Sequence, residues 1–148
     1  MKKDETDNQV FEYFRAIHII QQLSKEKVES VLPKSMLMSH FNVLAHLSRH
    51  NDTQTPAMLA SAFQVTRPSM SNTLSKLENM KYIKILSDPH DGRSKKVQLT
   101  AFGEKSFQLA IQNIGPVFES MIKEVGMTVF ENSLPDLKKI SMYLDSNR

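Results

Sequence analysis

The spacing of apolar residues at the start of the chain predicts a long amphipathic helix. From Val10 to Leu23 the apolar side chains recur every three or four residues, which is the period of one face of an α-helix. The same helix is expected to reach about Ser30 and to end before Leu32-Pro33, because a residue that precedes proline avoids helical backbone angles. Residues before Asn8 lack this period and are expected to form a frayed tail.

Three shorter helices are predicted to follow. Ser35 is expected to cap the second helix, whose apolar residues share one face up to Leu47. Thr55-Pro56 marks the start of the third helix, with threonine as the N-cap and proline at the first helical position. Thr66 is expected to cap the fourth helix after a short turn. The fourth helix turns three apolar residues inward, which are Met70, Leu74 and Leu77.

Alternation of apolar and polar residues replaces the helical period after the fourth helix. Ile83 and Ile85 alternate with Lys84, and Val97 and Leu99 alternate with a lysine and a glutamine. The segment between them contains Asp, Pro and Gly, which are typical turn residues. This pattern predicts two half-buried strands that form a β-hairpin.

Two long helices are predicted after the hairpin. Thr100 begins the first, whose wide apolar stripe continues to Val125 and is expected to bend at Gly115-Pro116. The start of the last helix stays open, because Thr128-x-x-Glu131 and Ser133-x-x-Asp136 both resemble capping boxes. The sequence therefore predicts a mainly α fold with a small β-hairpin, in the order α-α-α-α-β-β-α-α.

The length and composition of the chain indicate one globular domain over residues 1–148. Of the 148 residues, 40% are apolar and 24% charged, so a folded core is expected. The absence of cysteine excludes disulfides and thiolate metal ligands. The polar start predicts no signal peptide, and no run approaches the roughly 20 apolar residues of a membrane helix. We therefore expect a cytoplasmic location and no membrane partner.

Positive charge is concentrated in one segment of the chain. Residues 63–97 hold seven Lys or Arg and three acidic residues, a net charge of +4, whereas the rest of the chain carries a net charge of −1. Such an excess is typical of a surface that faces phosphates. From charge alone, an ordinary solvated surface is an equal alternative.

The fourth helix carries the first set of expected DNA contacts. Its candidate residues are Arg67, Ser69, Ser71, Asn72, Ser75 and Lys76. The small polar side chains let the backbone approach a groove, and Asn72 can pair with adenine. Arg67 can reach a phosphate or a guanine. The alternative is a helix face that only meets water.

The hairpin supplies the second set of expected DNA contacts. Its cations are Arg93, Lys95 and Lys96, and its turn contains Asp88, Asp91 and Gly92. Arg93 suits a narrow minor groove, and Asp91 can orient it through an ion pair. Asp88 can instead fix the turn through its own backbone. A surface salt bridge is the alternative role for Arg93, and solubility is the alternative role for the two lysines.

Four sequence motifs between residues 67 and 103 carry a resemblance to a known family. They are Arg67-Pro68-Ser69-x-Ser71, Leu77-Glu78, Asp88-Pro89-x-Asp91-Gly92-Arg93 and Leu99-Thr100-x-x-Gly103. With the order of elements, they resemble the MarR family of winged helix-turn-helix transcription regulators. The chain departs from the family pattern at two positions. Lys81 stands where the family usually has a small residue, often glycine, and Ile85 stands where it often has an arginine.

The resemblance implies a homodimer with two-fold symmetry. The winged helix-turn-helix part spans residues 35–100, and the dimerisation helices span residues 8–32 and 101–146. The fourth helices are implied to enter successive major grooves of a pseudo-palindromic operator in double-stranded DNA, with the wings beside the minor groove. A repressor released by a small, often aromatic effector is also implied. The apolar terminal helices independently favour a dimer, because they carry more apolar surface than one chain of this size easily hides.

The histidines offer two further hypotheses. His46 and His50 are four residues apart on one helix, a spacing that suits a metal. No cysteine or established acidic motif accompanies them, so no metal is expected. Arg15 and His18 on the first helix could line a ligand pocket, whereas a core or interface position is the alternative for His18.

Other function classes have weaker support in the sequence. The chain has no Gly-rich phosphate loop, HExxH, GxSxG or paired carboxylates in a recognisable setting, so neither an enzyme nor a cofactor is expected. The other hypothesis is a winged-helix protein-protein interaction module without DNA binding. Salt separates the two hypotheses, because binding to duplex DNA weakens steeply as salt rises.

Overall fold

The computed structural model describes residues 3–87, 89–90 and 94–147. Within these residues the chain forms six helices and one antiparallel strand pair. They are α1 (Lys3–Glu29), α2 (Met38–Arg49), α3 (Pro56–Ala62), α4 (Arg67–Asn79), β1 (Ile83–Ser87), β2 (Lys95–Leu99), α5 (Ala101–Val125) and α6 (Met127–Ser146). The predicted order of elements and the mainly helical class are confirmed. No helix in the described ranges combines the length and apolar composition needed to cross a membrane.

Two predicted N-caps are confirmed, and they fix the ends of the two helices nearest the candidate interface. The hydroxyl of Thr55 accepts the Met58 N–H at 3.2 Å at the start of α3. The hydroxyl of Thr66 accepts the Ser69 N–H at 3.2 Å at the start of α4. Each hydroxyl satisfies a backbone donor that the first helical turn leaves without a partner inside the helix.

Two predicted helix starts are wrong. The tail before Asn8 belongs to α1, which begins at Lys3. Glu5 and Asp7 lie near the N-terminus of this helix, where the helix dipole favours negative charge. This stabilisation does not require a periodic apolar face. Ser35 does not cap α2 but lies in a turn with φ of 68°. The N-cap is Leu37, whose N–H donates to His40 Nδ1 at 3.1 Å.

The start of α6 uses neither of the two predicted capping boxes. Its N-cap is Gly126, with φ of 91° and no side-chain hydrogen bond at the cap. This angle lies in the left-handed region, which glycine enters at low cost. The preceding helix α5 continues through Gly115 and Pro116 up to Val125.

The chain forms two compact units, one ending at Asn113 and the other beginning at Ile114. The core of the first unit is closed, and its largest fully buried side chains are those of Val28, Val43, Leu44, Leu59, Leu74, Leu77 and Ile83. In the second unit none of the α6 residues is buried. Its apolar hollow is lined by Phe118, Met121, Ile122, Met127 and Phe130. The predicted split into a winged-helix part and dimerisation helices stays a prediction.

Candidate nucleic-acid interface

A tight turn joins α3 to α4 and produces the predicted helix-turn-helix. At the end of α3, Val65 N–H donates to Ala60 O at 3.0 Å and Gln64 N–H donates to Ser61 O at 3.2 Å. This pair of bonds is the Schellman arrangement, which needs a left-handed residue just after the helix. Gln64 takes that conformation, with φ of 57°.

Helix α4 separates a buried stripe from a polar outer face. Met70, Leu74 and Leu77 are buried in the core of the first unit. The candidate residues on this helix, Arg67, Ser69, Ser71, Asn72, Ser75 and Lys76, are all exposed. At about 100° of rotation per residue, Asn72 and Ser75 lie roughly opposite the buried stripe. The helix therefore presents small polar side chains where a recognition helix needs them.

The pairing of β1 with β2 runs from a buried end of the hairpin to an exposed, charged end. Ile83 pairs with Leu99 at its base, and Ser87 pairs with Lys95 at its outer end. The two candidate lysines of β2 are exposed. Because successive side chains on a strand point to opposite faces, Lys95 and Lys96 cannot face the same side of the hairpin.

A hollow between α3, α4 and the hairpin brings part of the predicted site together. Arg67, Ser71 and Ser75 of α4 line it with Lys95 of β2. The other residues of the wall are Thr55, Pro56, Ala57, Leu74, Glu78, Ile85 and Ser94. Ser69, Asn72 and Lys76 lie outside this lining on α4, and Lys96 lines a second hollow on the other side. Glu78 and Ser94 were not predicted as wall residues, although Glu78 belongs to the Leu77-Glu78 motif.

The remaining predicted site residues belong to the stretch of sequence between β1 and β2. Asp88, Asp91, Gly92 and Arg93 lie outside the described residues. The contact of Arg93 with the minor groove and the turn roles of Asp88, Asp91 and Gly92 therefore stay predictions.

The Leu99-Thr100-x-x-Gly103 motif has a structural role at the base of the hairpin. The Thr100 hydroxyl lies 2.7 Å from Lys81 O and accepts the Gly103 N–H at 2.9 Å. A Cβ placed on Gly103 would lie 2.0 Å from Tyr82 O, so the close approach requires glycine. The motif therefore joins the end of α4, the start of β1 and the start of α5.

Lys81 occupies a left-handed position after α4, with φ of 67°. Tyr82 N–H donates to Leu77 O at 3.0 Å and Lys81 N–H donates to Glu78 O at 2.9 Å, which is again the Schellman arrangement. The chain thus forms this helix-to-strand turn with a lysine where glycine would carry no steric cost.

His40 is a buried titratable group beside the interface helix. Its side chain is only 3% exposed. Burial, followed by the positive charge of Lys76, lowers the pKa of His40 below the ordinary value of 6.5, and a backbone hydrogen bond at Ser35 and the charge of Glu29 act in the opposite direction. The neutral ring is the form that accepts the Leu37 N–H through Nδ1.

Arg15, His18, His46 and His50 do not line the hollow between α3, α4 and the hairpin. The His46 and His50 rings stack with centroids 3.9 Å apart, while His46 Nε2 meets Gln54 Oε1 at 3.1 Å. In the part of the chain that the structure describes, no group of three His, Asp or Glu residues is placed to hold a metal. Arg15 and His18 are exposed on α1, and Arg15 pairs with Glu12 at 3.4 Å. Their role in a ligand pocket stays a prediction.

Comparison with solved structures finds the same fold in several proteins. The chain matches the transcriptional regulator BldR from Sulfolobus solfataricus with a TM-score of 0.77 and 23% identity, covering 97% of this chain and 99% of BldR. A mutant MarR from E. coli complexed with operator DNA gives a TM-score of 0.79 and 22% identity over 90% of this chain and 96% of MarR. The MepR–DNA complex from S. aureus gives 0.72 and 27% identity, with coverages of 89% and 95%.

The helix-turn-helix and the adjoining hairpin define a winged-helix protein. The MarR family model matches residues 35–94, which contain α2, α3, α4 and β1. This match and the structural matches support a winged-helix protein similar to the MarR family. Together they support a DNA-binding transcription regulator.

Proposed function

We propose that this protein is a sequence-specific DNA-binding repressor. The observation that carries the proposal is the hollow in which Arg67, Ser71 and Ser75 of α4 meet Lys95 of the hairpin. Two polar elements on one side of the first unit can contact neighbouring parts of a duplex at once. The excess positive charge of residues 63–97 favours phosphates on the same side.

In the proposed complex, α4 enters the major groove and the hairpin lies beside the minor groove. Asn72 reads a base edge, because it is exposed on the side of α4 away from the core. Arg67 and Lys95 hold phosphates, and Arg93 reaches the minor groove. MarR and MepR, which share this fold, are both described in complexes with DNA.

We further propose a homodimer that pairs through the terminal helices. Phe11 is 75% exposed on α1 and Met142 is 70% exposed on α6 in the single chain. Exposed apolar side chains of this kind are typical of an interface, and a two-fold axis would set two α4 helices against a pseudo-palindromic operator. Its half-sites would lie about one helical turn apart.

The effector part of the proposal rests on the family resemblance. A small aromatic ligand would release the repressor from its operator, and Arg15 and His18 are the candidate contacts. Titration of a bound operator complex with candidate aromatic acids tests this part, and Arg15→Ala should then weaken the response without changing operator affinity. An unchanged response would remove Arg15 from the proposed pocket.

Selection of binding sites from random duplexes tests the central proposal. The selected operator should bind with a steep salt dependence, losing about 10³-fold or more between about 50 and 200 mM salt if six or more phosphates are neutralised. Arg93→Ala should weaken binding to all duplexes and reduce the slope, whereas Lys25→Ala on α1 should change neither. A flat salt response, or no selected sequence, would favour a protein-binding module instead.

Asn72→Ala separates base reading from phosphate contact. The variant should lose about 1–3 kcal/mol on the operator and relax the preference at one base position. Competition assays with single-base operator variants measure both effects. Equal loss on the operator and on random duplex would reduce Asn72 to a backbone contact.

A further inference from the structure

The Ile85–Val97 pair is held on both edges of the hairpin. Val97 N–H donates outward to Gln54 O at 2.8 Å, so this cross-strand pair does not use that donor within the hairpin. In antiparallel pairing, the opposite residue of such a pair also points its N–H outward. Ile85 N–H donates to a carboxylate oxygen of Glu78 at 2.8 Å. At the Ile85–Val97 pair, both outer edges of the hairpin are therefore held by hydrogen bonds to other parts of the chain.

The two edge contacts differ in their chemistry. On the β2 side the acceptor is a backbone carbonyl, and the Gln54 side chain is buried and bonded to His46 and Asp52. On the β1 side the acceptor is a side chain from the last turn of α4, the same helix that carries the candidate base contacts. The Glu78 contact thus connects α4 directly to the hairpin.

A carboxylate at this position acts against general DNA binding. Glu78 lines the same hollow as Arg67 and Lys95, where the proposed function places phosphates. Its negative charge repels any duplex regardless of sequence. The hydrogen bond from Ile85 N–H gives Glu78 a different role, because the length of the Glu78 side chain sets the distance between α4 and β1.

We propose that Glu78 is a positioning residue that sets the hairpin against α4 so that both elements meet their DNA contacts together. This inference rests on the proposed function. Glu78 itself contacts no DNA. It raises the ratio of operator affinity to random-duplex affinity, while its charge slightly lowers affinity for every duplex.

Two substitutions separate the hydrogen bond from the charge. Glu78→Gln keeps an oxygen acceptor at the same chain length and removes the charge. Glu78→Asp keeps the charge and shortens the side chain by one methylene, which takes the acceptor out of reach of Ile85 N–H. A positioning role predicts that Glu78→Gln keeps the parental ratio of operator affinity to random-duplex affinity and that Glu78→Asp loses it, whereas a charge role predicts the reverse.

The first measurement needs no DNA. Amide hydrogen exchange of Ile85, followed by NMR in the full-length protein, should accelerate about tenfold in Glu78→Asp and stay within about threefold of the parent in Glu78→Gln. Thermal melting of both variants checks that the fold is intact. Unchanged exchange in Glu78→Asp would overturn the proposed contact.

The second measurement compares the selected operator with a random duplex. Glu78→Asp should lower the affinity ratio about five- to tenfold, and Glu78→Gln should keep the ratio within about twofold while binding both duplexes more tightly. A parental ratio in Glu78→Asp, with a sequence-specific parent, overturns the positioning role alone. A parent protein that binds no duplex overturns the proposed function, and the positioning role with it, whatever the exchange rates show.

Discussion

The two compact units place similar apolar helices in opposite situations. In the first unit, Leu44 and Leu59 are 0% exposed and Leu74 is 1% exposed, enclosed by neighbouring helices and the hairpin. In the second unit, α6 buries none of its residues, and Leu144 is 52% exposed. The difference shows that helical spacing identifies which face of a helix is apolar but not what covers it.

This difference separates two sources of stability. The first unit closes its core within one chain, so its stability should not depend on protein concentration. The open face of α6 gains stability only when another surface covers it, which the proposed dimer would do. Substitutions in the two units should therefore respond differently to protein concentration.

The largest expected effect comes from a cavity in the closed unit. Leu59→Ala should lower the free energy of unfolding by about 2–5 kcal/mol, because the residue is fully buried and its neighbours cannot collapse completely. Urea unfolding measures the loss at several protein concentrations. Leu144→Ala is the matched control: a smaller loss that grows on dilution would confirm the contrast, and an equal, concentration-independent loss would contradict it.

The next effect compares two glycines in α5. Gly103→Ala should destabilise the protein by about 1–3 kcal/mol or more, because the new Cβ would lie 2.0 Å from Tyr82 O. Gly115→Ala should change stability by less than about 1 kcal/mol, since nothing lies within 4 Å and the gain in helix propensity opposes crowding by Pro116. Thermal melts of both variants test the pair, and similar losses would mean that the junction at Tyr82 tolerates a methyl group.

A smaller, opposite effect is expected at the end of α4. Lys81→Gly should stabilise the first unit by about 0.5–1 kcal/mol, because glycine removes the steric cost of a side chain at φ of 67°. The greater conformational freedom of glycine in the unfolded chain offsets part of this gain. Lys81→Ala keeps that cost and should show no gain. A gain in the alanine variant would trace the effect to the lysine charge instead.

The smallest expected effect is a pH dependence from His40. Its pKa is lowered in the folded chain by burial and by Lys76, so the unfolded chain takes up the proton first as pH falls. The stability that the neutral ring contributes is complete above about pH 6.5 and is lost as pH falls through the lowered pKa. The urea midpoint of unfolding should depend less on pH in His40→Gln than in the parent protein. The exposed control His18→Gln should keep the parental pH dependence.

Local signals in the sequence were sufficient for most of the fold. Threonine followed by proline one or two residues later located the starts of α3 and α4, and alternation located both strands. These signals act within a few residues of the helix or strand that they predict. The outward position of the α4 candidates followed from the helical period in the same way.

The wrong N-cap at Ser35 and the missed wall residue Glu78 both depend on side-chain contacts that the local sequence pattern does not show. The start of α2 is set by Glu29, whose carboxylate accepts the Met38 N–H at 2.8 Å, and by the ring of His40. No pattern in the sequence around Ser35 indicates either of these contacts. Glu78 was missed as part of the hollow because its acceptor role appears only when β1 returns beside α4.

Helix α4 lies between two left-handed turns that use side-chain-bearing residues, Gln64 before it and Lys81 after it. Both positions carry a steric cost that glycine would remove, independently of the outer face proposed to meet DNA. Substitution by glycine at these two positions could therefore stabilise the turns on either side of the candidate recognition helix. An engineer who wanted to replace the outward residues of α4 could first change these two borders, and so obtain a sturdier scaffold for new sequence preferences.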